Sequence, residues 1–170
     1  MSTVSSVSPP RLSLTVGVPS NLLGFYVMGL IGNRKMSEKT IRKGTLISIM
    51  ISLSPTLLYP LHRNYLGETA SLLFVLVSII CGALNILSPI ILPKYRKISM
   101  SSSIGLGIGS AWIGLGIWVF SKFPILPSNE TNLSFAAAIG WFIWTYLTEI
   151  PFLLLLVPPI IKIVSNAFNI

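Results

Sequence analysis

Five long apolar stretches, separated by short groups of charged residues, constrain this 170-residue chain more than any other feature. They run over residues 12–32, 44–60, 69–92, 100–120 and 135–163. Apolar residues make up 52% of the chain and charged residues only 9%, so a water-soluble domain could not cover all five. A bilayer core about 30 Å thick needs roughly 17–25 apolar helical residues to cross it. The sequence therefore predicts an all-α integral membrane protein, a bundle of five transmembrane helices in one domain (12–170), with four or six spans as alternatives.

Residues 1–11 are rich in serine and proline and are predicted to form a short disordered tail. They lack the basic start, apolar core and small-residue cleavage site of a secretory signal. The first span is the weakest of the five, because Thr15, Pro19, Ser20 and Asn21 interrupt it. We expect a tilted or half-broken helix that crosses mainly between residues 18 and 32. If it does not cross, the N-terminus moves to the opposite side.

The basic residues lie unequally on the two sides of this arrangement. Nine of the twelve fall between spans one and two, between spans three and four, or at the end of span five. The three others are Arg11, Arg63 and Lys122. Because Lys and Arg in short loops are retained in the cytoplasm, this split predicts a multi-pass protein of the cell membrane with its N-terminus outside and its C-terminus cytoplasmic. The nine residues are Arg34, Lys35, Lys39, Arg42, Lys43, Lys94, Arg96, Lys97 and Lys162.

The net charge of +8 follows from these residues beside the spans rather than from a separate basic domain. The lipid bilayer is therefore the expected partner, with anionic headgroups meeting the basic residues. Other membrane subunits, docked on the basic loops or on the glycine stripes described below, are a second possible partner. Nucleic acid is not expected, because a surface that follows phosphates needs a domain to carry it.

The predicted outer loop, residues 121–134, contains two glycosylation acceptor triplets, Asn129-Glu130-Thr131 and Asn132-Leu133-Ser134. Their position on the outer side is consistent with surface glycosylation. Because two neighbouring glycans would compete for space, at most one of Asn129 and Asn132 is expected to be used.

Residues that could carry catalysis or bind a metal are sparse. The single cysteine, Cys81, falls near the middle of span three and is expected to be an inert core residue. The single histidine, His62, cannot supply the ligands of a metal cluster, so neither a metal nor a cofactor is expected. The chain has no aspartate, and its glycine-rich segment 105–110 lacks the Lys-Ser/Thr ending of a phosphate-binding loop. No enzyme is predicted.

Small residues in span four predict how the helices pack. Helices in lipid associate through close backbone approach, so small residues mark their interfaces. Gly105, Gly109 and Gly116 lie on one face of this span, and Gly107 and Gly114 lie on a neighbouring face. Two such stripes indicate contacts on two sides, which predicts that span four is central in the bundle.

Glu149 is the only ionisable side chain well inside a predicted span. An acid in hydrocarbon costs roughly 2.5–3.5 kcal/mol at a helix centre, so it is usually kept for a cavity or a partner. Counted along the spans, Glu149 and Asn85 reach similar depths, beside the glycines of span four. We therefore predict one polar site in which Glu149 and Asn85 meet, supported by Thr145, Thr148, Tyr146 and Ser48. The alternative is a structural Glu149 that bonds a backbone carbonyl freed by Pro151.

Two functions follow from these features. The first is a transporter or permease component that moves a small solute or a proton through the site around Glu149. The second is a non-catalytic subunit of a larger membrane complex. The chain's size, its glycine-rich fourth span and its Pro-Pro-Ile-Ile-Lys162 ending resemble small substrate-binding subunits of modular vitamin importers at the level of fold alone. Those subunits usually have six helices, and no residue motif carries over.

Overall fold

The computed structural model describes residues 13–122 and 132–168, and within these ranges it is helical throughout, joined by short turns. The predicted tail 1–11 and the acceptor triplet at Asn129 lie outside the described residues. A π-helical turn, Ser13–Gly17, leads into the first helix, and a 3-10 turn, Pro93–Tyr95, precedes the fifth. The helices are α1 (Val18–Asn33), α2 (Glu38–Leu57), α3 (Tyr59–Leu66), α4 (Glu68–Ile91), α5 (Arg96–Phe120) and α6 (Phe135–Phe168).

Four helical segments in the described part of the chain are long and apolar enough to cross a membrane, which confirms the prediction of a helical membrane protein. α2 is the predicted span that does not meet this measure. Its uncharged part, residues 44–57, is about 21 Å long at 1.5 Å per residue, short of a bilayer core of about 30 Å. The four segments are Ser13–Asn33, Glu68–Ile91, Pro93–Phe120 and Phe135–Ile161.

Two basic segments that the sequence placed in loops are largely helical. α2 begins at Glu38, because the Ser37 side chain caps it and accepts a hydrogen bond from the Thr40 backbone N–H at 3.3 Å. The link between spans three and four is also mostly helical, since α5 begins at Arg96. The ion pair between Arg96 and Glu38 joins the start of α5 to the start of α2. Both basic links therefore lie at the same end of the bundle.

Pro55 lies near the end of α2, just before a short helix that the sequence did not reveal. Pro55 lacks an N–H, so the carbonyl of Ile51 loses its helical partner, and the Ser54 hydroxyl donates to that carbonyl at 2.7 Å. The His62 ring nitrogen Nε2, in α3, donates to the Pro55 carbonyl at 2.8 Å. The chain then turns at Gly67, whose φ of 80° suits glycine, and continues into α4.

α5 is the helix on which the bundle is built, because it packs against α1, α2, α4 and α6. Its glycines allow the closest approaches. A Cβ added at Gly105 would lie 2.6 Å from the Gly24 carbonyl oxygen of α1, and one at Gly114 would collide with the Ala138 carbonyl oxygen of α6. α1 packs on α5 and makes no more than isolated contacts with the other described helices.

Candidate functional site

Asn85 lies at the centre of a buried polar network that joins α2, α4 and α5. Its Nδ2 donates to the Ser52 hydroxyl at 2.8 Å and to the Cys81 carbonyl at 3.2 Å. Its Oδ1 accepts from the Ser103 hydroxyl at 2.7 Å. The side chain is 3% exposed, so its amide is almost completely enclosed. Buried amides need such partners, and this one has them on both neighbouring helices.

Tyr146 connects this network to α6. Its hydroxyl lies 3.2 Å from the Ser52 hydroxyl, and its ring is 1% exposed. Ser78 donates to the Ser52 carbonyl and lies 3.2 Å from the Thr56 hydroxyl. The network is enclosed and its members bond one another, so its arrangement serves to hold four helices in register.

Cys81 has a specific role in this core. Pro151 of α6 has no N–H, which frees the carbonyl of Leu147 four residues earlier. The Cys81 thiol donates to that carbonyl over 3.6 Å, and the residue is completely buried. The carbonyl freed by Pro151 is therefore bonded by Cys81, and not by Glu149 as the structural alternative supposed.

The second polar feature is a groove between α1 and α6. Both helices pack on α5 but not extensively on each other, so α5 forms the floor of the groove between them. Its cavity volume is about 50 Å³, which is room for a small polar headgroup, so the rest of a larger ligand would lie outside the groove. α1 contributes Asn21 and Phe25 to the wall, and α6 contributes Thr145 and Glu149.

Glu149 lies on the groove wall with its side chain exposed and forms no salt bridge within the described part of the chain. Ser110 of α5 also lines the groove. It is completely buried, and its hydroxyl has no hydrogen-bond partner among the described residues. A carboxyl, an unpaired hydroxyl and the Asn21 amide thus share one apolar groove.

The predicted site residues do not form one site, because some line the groove and others lie in the buried network or outside both. Glu149 and Thr145 line the same groove, because residues four apart on a helix differ by only about 40° in direction. Thr148 is exposed outside the groove and bonds the Trp144 and Thr145 carbonyls of its own helix. Asn85 lies in the buried network instead of beside Glu149.

Ser48 is buried in α2 and donates to the Gly44 carbonyl at 3.0 Å, so it joins neither cluster. Asn21 and Ser110 belong to the groove but were not predicted to. In the sequence, Asn21 stands out only as an interruption of the first span, and Ser110 only as the end of the glycine-rich segment 105–110. An amide placed eight residues inside a span was the available signal, since such groups need a partner.

The described acceptor triplet lies beside the start of α6. Asn132 is exposed and has a φ of 58°, and its Oδ1 accepts from the Lys122 ammonium at 2.6 Å. The Ser134 hydroxyl accepts from the Ala137 backbone N–H at 3.3 Å. The triplet is therefore ordered at the surface end of the bundle.

No protein-family model, curated protein or solved structure matches this chain. Among the described residues, no group of three or more His, Cys, Asp or Glu side chains is placed to hold a metal ion. The assignment of a function therefore depends on the groove and on the buried network alone.

Proposed function

We propose that this protein is a transporter or permease component of the cell membrane, in which Glu149 binds a small solute or a proton. The observation that carries the proposal is the groove itself, where Glu149, Thr145 and the unpaired Ser110 hydroxyl converge in apolar surroundings. An apolar pocket with a few convergent polar groups is the usual form of a small-molecule site. Acids inside membrane spans commonly mark ion pathways and proton relays, which supports a role for Glu149 in proton binding.

The proposed topology has five spans, with the N-terminus outside and α2 as the second span. α2 is short for a bilayer core, and the proposal is that its capped basic turn at Glu38–Lys43 lies in the cytoplasmic headgroups. Alternating access requires one part of the bundle to move against another. α1 suits that role, because α5 is the one described helix on which it packs extensively and because it forms one wall of the groove.

The test of this function is solute or proton uptake by Glu149→Gln. Glutamine keeps the shape of the side chain but cannot titrate, so we expect unchanged expression and uptake reduced about tenfold or more, without its pH dependence. Thr148→Val is the matched control, because Thr148 is on the same turn but outside the groove. Wild-type uptake by both Glu149→Gln and Glu149→Leu in whole cells would reject the proposal.

A second candidate is a non-catalytic subunit of a larger membrane complex. The observation that favours it is the open side of the groove, where Phe25 is 61% exposed and Leu22 beside it is 67% exposed. A helix of another protein could cover this face. Purification in mild detergent separates the candidates, since a stoichiometric companion protein supports the subunit function.

A further inference from the structure

The charge composition of the groove restricts what it can bind. Among the residues that the structure describes, Glu149 is the only ionisable one that lines the groove, since the lining residues from α1 and α5 are all uncharged. No Lys or Arg in the described part of the chain reaches the carboxyl. A carboxylate in apolar surroundings favours a cationic partner, because its charge is costly there unless paired. The missing positive charge must therefore come with the ligand.

The Ser110 hydroxyl adds a second requirement. Ser20, on the α1 wall of the same groove, donates to the Gly109 carbonyl of α5 at 2.8 Å, so its buried hydroxyl has a partner. Ser110 is equally buried but bonds nothing among the described residues. A ligand with N–H groups would supply the partner that this hydroxyl lacks. A primary ammonium carries both the positive charge and the N–H donors.

The remaining surface is apolar and is open sideways. Phe25 and Met28 form most of the α1 wall, and Leu106 and Leu153 complete the floor and the opposite side. An exposed aromatic ring such as that of Phe25 also attracts a cation to its face. Because the groove opens between two membrane helices, a ligand with an alkyl chain would reach it from the bilayer.

We propose that the groove binds an amphipathic primary ammonium ion, which enters from the bilayer in exchange for a proton from Glu149. The inference rests on the proposed transport function and names its substrate class. The O–H bond of the carboxyl breaks, the proton passes to water, and the ammonium ion pairs with the carboxylate. One positive charge enters and one leaves, so the charge of the groove does not change.

Proton and cation compete for the same carboxyl, which fixes the sign of the pH dependence. At low pH the carboxyl is protonated and the apparent affinity for the cation is weak. As pH rises, the affinity increases about tenfold per unit until the carboxyl is ionised, and then levels off. No other titratable group among the described residues of α1, α5 and α6 lines the groove, so Glu149→Gln is expected to remove this dependence.

Equilibrium dialysis of labelled decylamine against the full chain in a non-ionic detergent tests the proposal. Decylamine is cationic throughout pH 5–8, since alkylammonium groups lose their proton near pH 10. We expect one saturable site that is absent in Glu149→Gln and unchanged in Thr148→Val. About one proton should be released per cation bound at pH values where the affinity still rises with pH, and none on the plateau. Decanol and decanoate should not compete. Equal binding by wild type and Glu149→Gln, or competition by decanol, overturns the proposal.

Ser110→Ala tests the hydroxyl separately. We expect it to weaken decylamine binding about fivefold but to leave decyltrimethylammonium unaffected, because that ion has no N–H to donate. Equal weakening of both probes contradicts the hydrogen bond.

Loss of uptake in Glu149→Gln without decylamine binding retains the transport function and rejects the ligand class. Decylamine binding in the wild type, together with unchanged uptake by Glu149→Gln, retains the ligand class and rejects the transport function. A helix of another protein that co-purifies in the groove rejects the ligand and supports the function as a subunit of a complex.

Discussion

Asn85 illustrates how one amide can organise several helices in lipid. Its donor and acceptor atoms bond Ser52 of α2 and Ser103 of α5, while the residue itself belongs to α4. Transmembrane helices gain little from the hydrophobic effect when they associate, so packing and such hydrogen bonds decide which faces meet. The network thereby fixes the rotation of each helix about its own axis.

Asn85→Leu is expected to lower the free energy of unfolding by about 1–3 kcal/mol, because it leaves the buried Ser103 and Ser52 hydroxyls with fewer partners. The measurement is an unfolding titration with SDS in mixed micelles, followed by tryptophan fluorescence. The double variant with Ser103→Ala should lose less than the sum of the single variants, by about 0.6–1.7 kcal/mol. Strict additivity would show that the two side chains are not coupled.

The sequence predicted that Asn85 belongs to a polar site inside the bundle, and the structure buries it together with Ser71, Ser78 and Gly82 of the same helix. The sequence did not predict that Glu149 faces away from Asn85 and lines the groove between α1 and α6. Depth along a helix can be counted from the sequence, but the rotation of α6 relative to α4 depends on contacts such as that between Gly114 and Ala138. Depth alone therefore placed two residues together that the structure separates.

At the scale of helices, the contact between α1 and α5 depends on small residues. A Cβ added at Gly105 would collide with the Gly24 carbonyl oxygen, and one added at Gly109 would lie only 3.1 Å from the Ser20 carbonyl oxygen. The apolar stretches of the sequence predicted five of the six helices to within a few residues, apart from the polar ends of α2, α5 and α6. α3 was missed because it is short and polar, although Pro60 at its start and Gly67 at its end are typical boundary residues.

Gly105→Ala is expected to weaken the contact of α1 with α5, since the new Cβ would lie 2.6 Å from the Gly24 carbonyl oxygen and 2.9 Å from the Met28 Cβ. We expect a loss of several degrees in the temperature of thermal aggregation in detergent. Gly29→Ala is the matched control, because a Cβ at Gly29 meets nothing within 4 Å. Equal behaviour of the two variants would mean that α1 is not held at this contact.

For the whole molecule, the distribution of charge agrees with the packing. The link before α2 and the turn before α5 share one end, and the Arg96–Glu38 ion pair connects them. The opposite end holds the exposed Arg63–Glu68 pair, at 3.4 Å, and the contact between Lys122 and Asn132.

The sequence predicted which residues share an end by counting spans. It could not predict the groove, which exists because α1 and α6 pack on different sides of α5.

Single-cysteine labelling tests the orientation of the bundle. On a Cys81→Ser background, in which the serine hydroxyl can still donate to the Leu147 carbonyl, a cysteine at exposed Ser37 should resist an impermeant maleimide in intact cells. A cysteine at exposed Thr69, at the other end, should react. The reverse pattern would invert the proposed topology.

The isolated attachment of α1 has a consequence for biogenesis. Ser20 bonds the Gly109 carbonyl, 89 residues later in the chain. A ribosome that adds about 5–20 residues per second delivers Gly109 roughly 4–18 s after Ser20. During that interval α1 has no helix to cover Gly24, and its Asn21 amide faces the bilayer or an insertase. The first described helix to be synthesised is thus among the last to be packed, and the insertion machinery must retain it until α5 arrives.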